Sequence, residues 1–488
     1  MKVLLINPLC RLPFSLPLGL GYIASVLRQN GHDVSMLDIN GSGYCDDKVE
    51  EMLKSYEFDI VGIGGLTSTY RYVKWLARVI KNLKPGIPIA AGNMVSTAHP
   101  ELLLANTDVD IAVIDEGELT VTELVSAIEE TRDIEGVAGI FFKRDGKVIR
   151  TSPRKRITDL DSLPFPAWNL FPMEVYINNS TQSHVSFGLR SINISTVRGC
   201  PYDCTFCSHP FGRTTYARSA RSIVDEIKEL KRLYGIQFID FSDDLFLFNE
   251  RRVLKLCDAM TSNNLKIKWS ASARVNLVNE KLLTNMHKAG CQELSYGFES
   301  GSQSILDKIR KRVTVTQALD AVEMTRKAKI KVIGSFIFGM PGENNETIKE
   351  TLDFIKRTHL PVHRFFYATP YPGTELYSIA KEMHRLPDDE DNYMQSLGEM
   401  RTTFLVNLTD FSDEELVKLK ESSEKSAYAN FDLKIKLEHF LEDWHRRFLI
   451  VSQSLKRLGI GPTIRMLISK IMLKLKKWIK IERLAAHD

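Results

Sequence analysis

Short apolar segments alternate with helix-like segments along most of the 488-residue chain. In the first part of the chain, the pattern predicts strands and helices in turn at 3–6, 18–29, 33–37, 46–55, 59–63, 70–83, 87–91, 100–105, 110–114 and 118–130. Near-continuous apolar strands that are separated by helices are typical of a parallel sheet covered on both faces. Residues 1–135 are therefore predicted to form a doubly wound α/β domain.

A second series of strands and helices occupies residues 191–375. Strands are predicted at 192–197, 238–242, 267–271, 294–298, 331–338 and 362–368. Six strand–helix units are fewer than the eight that close a full (β/α) barrel. Between the two series, residues 136–190 combine a hairpin signal at Arg144-Asp-Gly146 with several prolines, which indicates a connector. Residues 376–488 have helical periodicity.

A cysteine motif follows the first strand of the second series. Cys200, Cys204 and Cys207 stand in a C-x3-C-x2-C spacing. Three thiolates from one loop can hold three corners of an iron–sulfur cube, because cysteine thiolate is the usual cluster ligand. With no fourth cysteine nearby, one iron would be open to another molecule. The alternative is a zinc site, for which His209 is close enough in sequence to be the fourth ligand.

The motif resembles that of the radical S-adenosylmethionine (SAM) enzymes, and the resemblance implies a partial (β/α)6 TIM-like barrel. In that family the open iron of a [4Fe-4S] cluster binds SAM, one electron cleaves SAM, and a 5′-deoxyadenosyl radical abstracts hydrogen from substrate. The resemblance places SAM-binding residues beside the cysteines and at strand ends: Phe206, Asp243, Asp244, Arg274, Glu299 and Gly339. The aspartates would meet the amino group, the arginine the carboxylate, the glutamate the ribose, and Phe206 and Gly339 the adenine.

Each of these residues alone also fits a helix cap, a turn or a salt bridge. Their order behind the cysteine loop makes the zinc alternative much weaker. The metal ligands are expected to be Cys200, Cys204 and Cys207, and no further catalytic residue stands out in the sequence.

The first domain resembles the Rossmann-like cobalamin-binding domain that precedes the radical SAM core in one large subfamily. The resemblance is carried by Asn7-Pro8, residues 17–24 (PLGLGYIA), Gly31-His-Asp-Val34 and Glu116-Gly-Glu118. Ligands of such sheets lie beyond the carboxyl ends of the strands. The expected cobalamin contacts are accordingly Asn7, Leu66, Thr67, Ser68, Gly92, Asn93, Glu116 and Gly117. Shape alone would equally allow a flavodoxin-like domain without a ligand.

The segment after the first strand differs from that of cobalamin domains with a histidine ligand. Those domains carry Asp-x-His-x-x-Gly there, whereas this chain has Asn7-Pro-Leu-Cys10. The one Asp-x-His triplet, Asp443-Trp-His445, lies far away and lacks the glycine. The sequence therefore predicts base-off cobalamin without a histidine ligand, which suits methyl transfer.

Together the two resemblances imply a cobalamin-dependent radical SAM enzyme that methylates an unactivated carbon of a small-molecule or lipid substrate. The substrate radical would take the methyl group of methylcobalamin, and a second SAM would remethylate the cobalamin. A flavodoxin- or ferredoxin-type protein is the expected one-electron reductant. One alternative is a radical cyclisation, rearrangement or lipid-tailoring reaction without methyl transfer. Another is a non-catalytic cobalamin or metal sensor.

Composition and the C-terminal segment bear on location. The chain is 43% apolar and 26% charged, and neither a secretory signal nor a transmembrane run is recognisable, so we expect a cytoplasmic protein. Residues 455–483 hold nine Lys and Arg against one acid, with apolar residues at helical spacing. Such a basic amphipathic helix predicts peripheral contact with the inner face of a membrane, or packing on the core or a partner. Nucleic acid is not an expected partner, because no aromatic stacking platform accompanies the basic residues.

Overall fold

The structure is a computed structural model that describes residues 1–10, 15–179, 183–186, 188–360, 362–398 and 403–429. The predicted basic helix at 455–483 and the Asp443-Trp-His445 triplet lie outside the described residues. Within the described ranges, every helix is too short or too polar to cross a membrane.

The observed elements follow the predicted alternation closely. The strands are β1 (Lys2–Asn7), β2 (Asp33–Asp38), β3 (Ile60–Gly64), β4 (Ile89–Gly92), β5 (Ile111–Val113), β6 (Ile140–Arg144), β7 (Lys147–Arg150), β8 (Ser191–Ile194), β9 (Val197–Arg198), β10 (Tyr216–Ala217), β11 (Phe238–Phe241), β12 (Lys268–Ala273), β13 (Cys291–Glu299), β14 (Lys331–Phe338) and β15 (Val362–Tyr367). The helices are α1 (Leu18–Gln29), α2 (Ile39–Ser42), α3 (Asp46–Ser55), α4 (Tyr70–Leu83), α5 (Met94–Thr97), α6 (Pro100–Asn106), α7 (Gly117–Glu129), α8 (Met173–Asn179), α9 (Ala220–Tyr234), α10 (Glu250–Ser262), α11 (Glu280–Lys288), α12 (Gln303–Lys308), α13 (Val315–Lys327), α14 (Asn345–Thr358), α15 (Glu375–Glu382), α16 (Glu390–Ser396) and α17 (Asp413–Ala429).

The N-terminal sheet has the order β2-β1-β3-β4-β5-β6-β7, and its first five strands are parallel. This is the predicted doubly wound arrangement, with β1 and β3 flanking the point where the strand order reverses. The hairpin that the sequence places in the connector extends this sheet, because β6 pairs antiparallel with β5. Its turn has left-handed backbone at Asp145 and Gly146, with φ of 49° and 75°.

The second sheet is fully parallel in the order β15-β14-β13-β12-β11-β8. It is an open half-barrel, as predicted, with β8 and β15 at its two edges. The predicted strand at 192–197 is divided into β8 and β9. The cause is Asp243, whose carboxylate accepts the backbone N–H groups of Thr196 and Val197 and draws the chain away from the sheet.

Helix α9 illustrates why the covering helices form where they do. The Ser219 side chain accepts the backbone N–H three residues on, and Gly235 ends the helix with a left-handed φ of 61°. Ile223, Ile227 and Leu230 lie on one face and are buried against the half-barrel.

The connector contacts α1 and α2 of the first domain and β8 of the second, and its apolar side chains join a core that is continuous across both. Trp168 and Phe171 are buried, and the backbone N–H of Ala167 donates to Gly21 O on α1. A Cβ on Gly21 would lie 2.8 Å from Pro166 Cβ, so a larger residue there would push the connector away from α1. The two domains are thereby fixed relative to each other through the connector.

The C-terminal helices pack on both domains. Helix α16 lies on α4 and on the turn at Thr67–Thr69, where Asp391 accepts from Tyr70 Oη at 2.5 Å and from Lys74 Nζ at 2.6 Å. Helix α17 begins after Ser412, whose side chain and backbone exchange hydrogen bonds with Glu415 in a capping box. Leu416 of α17 lies near Gly339, so this helix borders the carboxyl end of β14.

Candidate functional site

The cysteine loop leaves the half-barrel at the carboxyl end of β8 and folds back on itself through the β9–β10 pairing. The backbone N–H of Cys200 donates to Gly212 O, and that of Thr205 donates to Ile309 O. Gly199 has a φ of 88°, and a Cβ there would lie 2.1 Å from Thr214 O. The loop geometry therefore requires glycine immediately before the first cysteine.

The three thiols lie within electrostatic range of one another. Desolvation by the surrounding protein, and then the neighbouring Cys204 and Cys200, raise the pKa of the Cys207 thiol to about 12. Burial likewise raises the pKa of Cys200. The raised pKa values of Cys200 and Cys207 favour their neutral forms without metal, and bound iron would supply the positive charge that ionises a ligand thiol.

The donor set suits a cluster better than a single ion. Across the described ranges, no three side chains of His, Cys, Asp or Glu converge on one ion position. In a four-iron cube each thiolate binds a different iron, so its ligands stand further apart than those of zinc. His209, the fourth ligand of the zinc alternative, has its Nε2 2.7 Å from Tyr202 O, to which that nitrogen donates.

Arg274 lies directly against the cysteine loop. This buried guanidinium stacks on Tyr202, with Cζ 3.5 Å from the ring centroid, and its Nη1 is 3.7 Å from Cys204 Sγ. It also donates to Lys311 O. A fixed positive charge beside a cluster thiolate offsets the negative charge of the site, and it suits the predicted contact with a carboxylate.

Glu299 and Lys311 form a buried ion pair at the end of β13. Lys311 Nζ donates to Glu299 Oε1 at 2.7 Å, and the same ammonium lies 5.8 Å from the centroid of Phe206. Glu299 has a left-handed φ of 63°, which is strained for a residue with a side chain. Gly297 leaves space for the carboxylate, because a Cβ there would lie 2.3 Å from Glu299 Oε1.

Asp243 and Asp244 both face the start of the cysteine loop. The carboxylate of Asp243 accepts hydrogen bonds from Thr196 and Val197, so its oxygens are already engaged. Asp244 is partly open to solvent, although its carboxylate is largely covered by protein, and it accepts the N–H of Gly199 at 2.8 Å. Desolvation raises the pKa of both carboxyl groups, and it outweighs the lowering by the Arg252 charge at Asp243 and by the hydrogen bonds at both. Of the two, Asp244 is the better placed to meet an external ammonium group.

Gly339 lies in the turn after β14 with a φ of 90°. Its backbone N–H donates to Glu343 Oε2 at 2.6 Å, and the N–H of Met340 donates to the same oxygen at 3.3 Å. Burial raises the pKa of Glu343 to about 7, against the effect of these two hydrogen bonds. The turn is therefore held by a buried carboxyl group.

The expected cobalamin contacts lie along the carboxyl edge of the N-terminal sheet. Leu66 exposes 47% of its surface there, although it is large and apolar. Thr67 is buried beneath it, with Oγ1 donating to Met94 O. Asn93 caps α5 and has a left-handed φ of 69°. A Cβ on Gly92 would meet only Val113, at 4.0 Å, so this side of the backbone is open. The small side chains and the exposed leucine fit the broad face of a large ring.

Two of the predicted cobalamin residues are engaged inside the protein. Asn7 Nδ2 donates to Asp38 Oδ1 at 2.7 Å and to Tyr176 Oη at 3.2 Å, in a buried network that joins β1, β2 and the connector. Glu116 accepts from Arg198 Nη1 and from the backbone N–H of Ile157, both at 2.8 Å. Their side chains contribute to domain packing.

Arg198 also reaches Glu118. Its Nη2 donates to Glu118 Oε1 at 2.5 Å, and all three side chains of the Arg198–Glu116–Glu118 cluster are buried. Burial alone would lower the pKa of Arg198, but Glu118 and Glu116 outweigh burial and raise it. Because Arg198 stands two residues before Cys200, this cluster connects the N-terminal domain to the cysteine loop.

Comparison with known proteins agrees with this geometry. The Radical SAM superfamily model matches residues 194–355, and the B12 binding domain model matches residues 10–125. An uncharacterized methyltransferase from Pyrococcus horikoshii is 34% identical over 427 residues, which are 86% of this chain and 88% of the relative. The chain belongs to the cobalamin-binding radical SAM family. The resemblance inferred from the sequence is confirmed.

Other relatives of this radical SAM protein differ in their reactions. The anaerobic magnesium-protoporphyrin IX monomethyl ester cyclase of Rubrivivax gelatinosus is 28% identical, over 74% of this chain and 65% of the relative. The radical SAM methyltransferase TsrM from Kitasatospora setae, solved with cobalamin and a [4Fe-4S] cluster, is 18% identical with a TM-score of 0.72, covering 98% of this chain and 99% of that one. The predicted fold class is confirmed, and the protein is an enzyme of the radical SAM class.

Several residues of this candidate radical SAM site were not predicted from the sequence. Tyr202 and Lys311 do not stand at strand ends, and Arg198 and Glu118 reveal their pairing only in three dimensions. Glu343 follows the predicted Gly339 by four residues, yet its burial could not be read from the sequence. The proximity of Tyr202 to the cysteines was the one available signal, since it lies within the motif.

Proposed function

We propose that this cobalamin-dependent radical SAM enzyme transfers a methyl group to an unactivated carbon of a small-molecule or lipid substrate. When bound, the cluster and SAM supply a 5′-deoxyadenosyl radical, and cobalamin supplies the methyl group. The remaining work falls to the residues of the chain, which must bind, orient and shield the reactants.

One observation carries the proposal. The cysteine loop and the carboxyl edge of the N-terminal sheet are in direct contact through Arg198, Glu116 and Glu118. Methyl transfer to a substrate radical requires that the radical generator and the methyl donor lie close together and in fixed orientation. A buried ion-pair cluster between the two domains supports such an arrangement.

The residues around the cysteines have distinct proposed roles in SAM binding. Arg274 would bind the carboxylate of SAM, and Asp244 would accept from its amino group. Glu299, held by Lys311, would accept from the ribose hydroxyls, and Phe206 would pack on the adenine with the turn at Gly339. The orientations of Arg274 and Glu299 are fixed by hydrogen bonds within the protein, so little rearrangement would be needed on binding.

We further propose that cobalamin is bound base-off, without a histidine below the cobalt. The support is the segment after β1 and the turn at Leu66–Thr69, neither of which carries a histidine in its described residues. His32 precedes β2 at the opposite edge of the sheet, and His99 pairs with Glu390 at 3.3 Å. The exposed Leu66 would present an apolar surface to the corrin.

The proposed partners follow from the same geometry. A half-barrel open between β8 and β15 can admit a large or apolar substrate, and a flavodoxin- or ferredoxin-type protein would supply electrons. The basic segment 455–483 is proposed to bring the enzyme to the inner face of a membrane, which would suit a lipid substrate.

Product analysis tests the reaction class. The enzyme is reconstituted with iron, sulfide and cobalamin without oxygen, reduced, and incubated with SAM labelled in its methyl group and a small-molecule and lipid extract. Formation of 5′-deoxyadenosine together with S-adenosylhomocysteine and a labelled product supports methylation. Formation of 5′-deoxyadenosine alone favours the cyclisation or rearrangement alternative, which the similarity to the cyclase supports. Absence of SAM cleavage would favour a sensor. A Cys200→Ser variant is the matched control.

A further inference from the structure

The turn between β5 and α7 is rich in carboxylates, and these form ion pairs with arginines from outside the domain. We call residues Asp115–Glu118 the acidic turn. Arg198 pairs with Glu116 and Glu118, and Arg156 of the connector lies 2.9 Å from Asp115 Oδ2. Carboxylates are rarely buried unless they are paired, and Glu116 and Glu118 are only 5% and 3% exposed.

Both ends of the cysteine loop are attached to the acidic turn. At the start of the loop, Arg198 binds it directly. At the far end, Arg156 donates from Nη1 to Pro210 O at 2.9 Å while its Nη2 pairs with Asp115. Gly212 passes within 3.5 Å of the Arg156 guanidinium, measured from its ideal Cβ position. The acidic turn is therefore linked to the start of the cysteine loop through Arg198 and to its far end through Arg156.

The aromatic surroundings restrict the Arg198 guanidinium further. It lies 5.5 Å from the ring centroid of Tyr22 on α1 and 5.0 Å from that of Phe211 in the cysteine loop. A planar guanidinium held by two carboxylates and two rings has one available orientation. Lysine could keep the charge at this place but could not make both ion pairs with the same geometry.

We propose that the acidic turn and Arg198 are positioning residues that set the distance and orientation of the cluster relative to cobalamin. Glu116 would then act through Arg198 and not through contact with cobalamin. The inference rests on the proposed function, because it assigns the alignment of the two cofactors in that same site. Its consequence is that weakening the contact should uncouple SAM cleavage from methyl transfer.

The test compares Arg198→Lys and Glu118→Gln with Glu123→Gln in the reconstituted enzyme. Glu123 also lies on α7 and pairs with a connector arginine, Arg154, but it does not touch the cysteine loop. Three quantities are measured: iron and cobalamin content, the magnetic interaction between the reduced cluster and cob(II)alamin by electron paramagnetic resonance, and amide hydrogen exchange of residues 198–214. Methyl transfer from labelled SAM is measured per 5′-deoxyadenosine formed.

We expect the two test variants to keep both cofactors, to change the magnetic interaction, and to exchange faster across residues 198–214. Methyl transfer per SAM cleaved should fall roughly 10- to 100-fold, since small misplacement of reactants has effects of this size. Glu123→Gln should match the wild type. A magnetic interaction and product ratio equal to those of Glu123→Gln would overturn the proposal.

Two other results would also overturn it. Loss of cobalamin with an intact cluster would mean that the acidic turn contacts cobalamin itself. Loss of iron from both test variants would mean that the contact is needed to fold the loop and not to align it. If the wild type binds no cobalamin, the proposed function fails, while hydrogen exchange of residues 198–214 still tests the contact.

Discussion

The buried carboxyl group of Glu343 predicts how the stability of the protein depends on pH. Its pKa in the folded state is about 7, against 4.5 for an ordinary glutamate, and burial is the main cause. Between these two values the unfolded chain has lost this proton while the folded protein keeps it. Stability from this group is therefore fully present below about pH 4.5 and is lost as the pH rises through about 7.

The size of the effect follows from the difference between the two pKa values. One pKa unit corresponds to about 1.36 kcal/mol, so the total is about 3.4 kcal/mol. About 2 kcal/mol of this would be lost between about pH 5.5 and about pH 8. Glu343→Gln keeps an oxygen for the N–H groups of Gly339 and Met340 and removes the titration.

The assay is urea unfolding of the protein without its cofactors, followed by circular dichroism at the two pH values. Other carboxyl groups titrate in both proteins, so the informative quantity is the difference between wild type and Glu343→Gln. That difference should change by about 2 kcal/mol between the two pH values, with the variant favoured at the higher one. Glu350→Gln, an exposed position on α14, is the control. Parallel pH profiles of wild type and Glu343→Gln would refute the raised pKa.

Three further predictions concern the cysteine loop and its neighbours. Gly199→Ala should strongly lower the amount of bound iron, because the new Cβ would clash with Thr214 O and the left-handed backbone would cost alanine roughly 1–2 kcal/mol of conformational strain. An unchanged iron content would contradict this. Lys311→Met should destabilise the protein by roughly 3–5 kcal/mol by leaving Glu299 buried without its partner, and the double variant with Glu299→Gln should recover part of that loss in a thermal unfolding assay. Cys200→Ser should reduce iron and abolish SAM cleavage while leaving cobalamin content unchanged, and loss of cobalamin as well would argue against separate sites.

The sequence was sufficient for the architecture because both sheets are built from local patterns. Apolar strands such as β3 and β14 are recognisable from composition alone, and helices such as α9 carry their own caps. Strand ends were harder to predict. The division of the 192–197 segment depends on Asp243, a residue more than forty positions away, and the connector hairpin joins a sheet whose edge is not visible from the hairpin itself.

The candidate cofactor residues were also predictable from short stretches of sequence. The three cysteines lie in one loop, and the small residues directly follow β3 and β4. Which side chains form ion pairs or stack on one another was decided by the tertiary structure. The sequence suggested Glu116 for cobalamin, whereas its carboxylate meets Arg198 across the domain boundary. Lys311 beside Glu299 and Arg274 on Tyr202 are likewise pairings between distant segments. Ion pairs and stacked rings depend on distances in space, and neighbours in the folded chain are not neighbours along it.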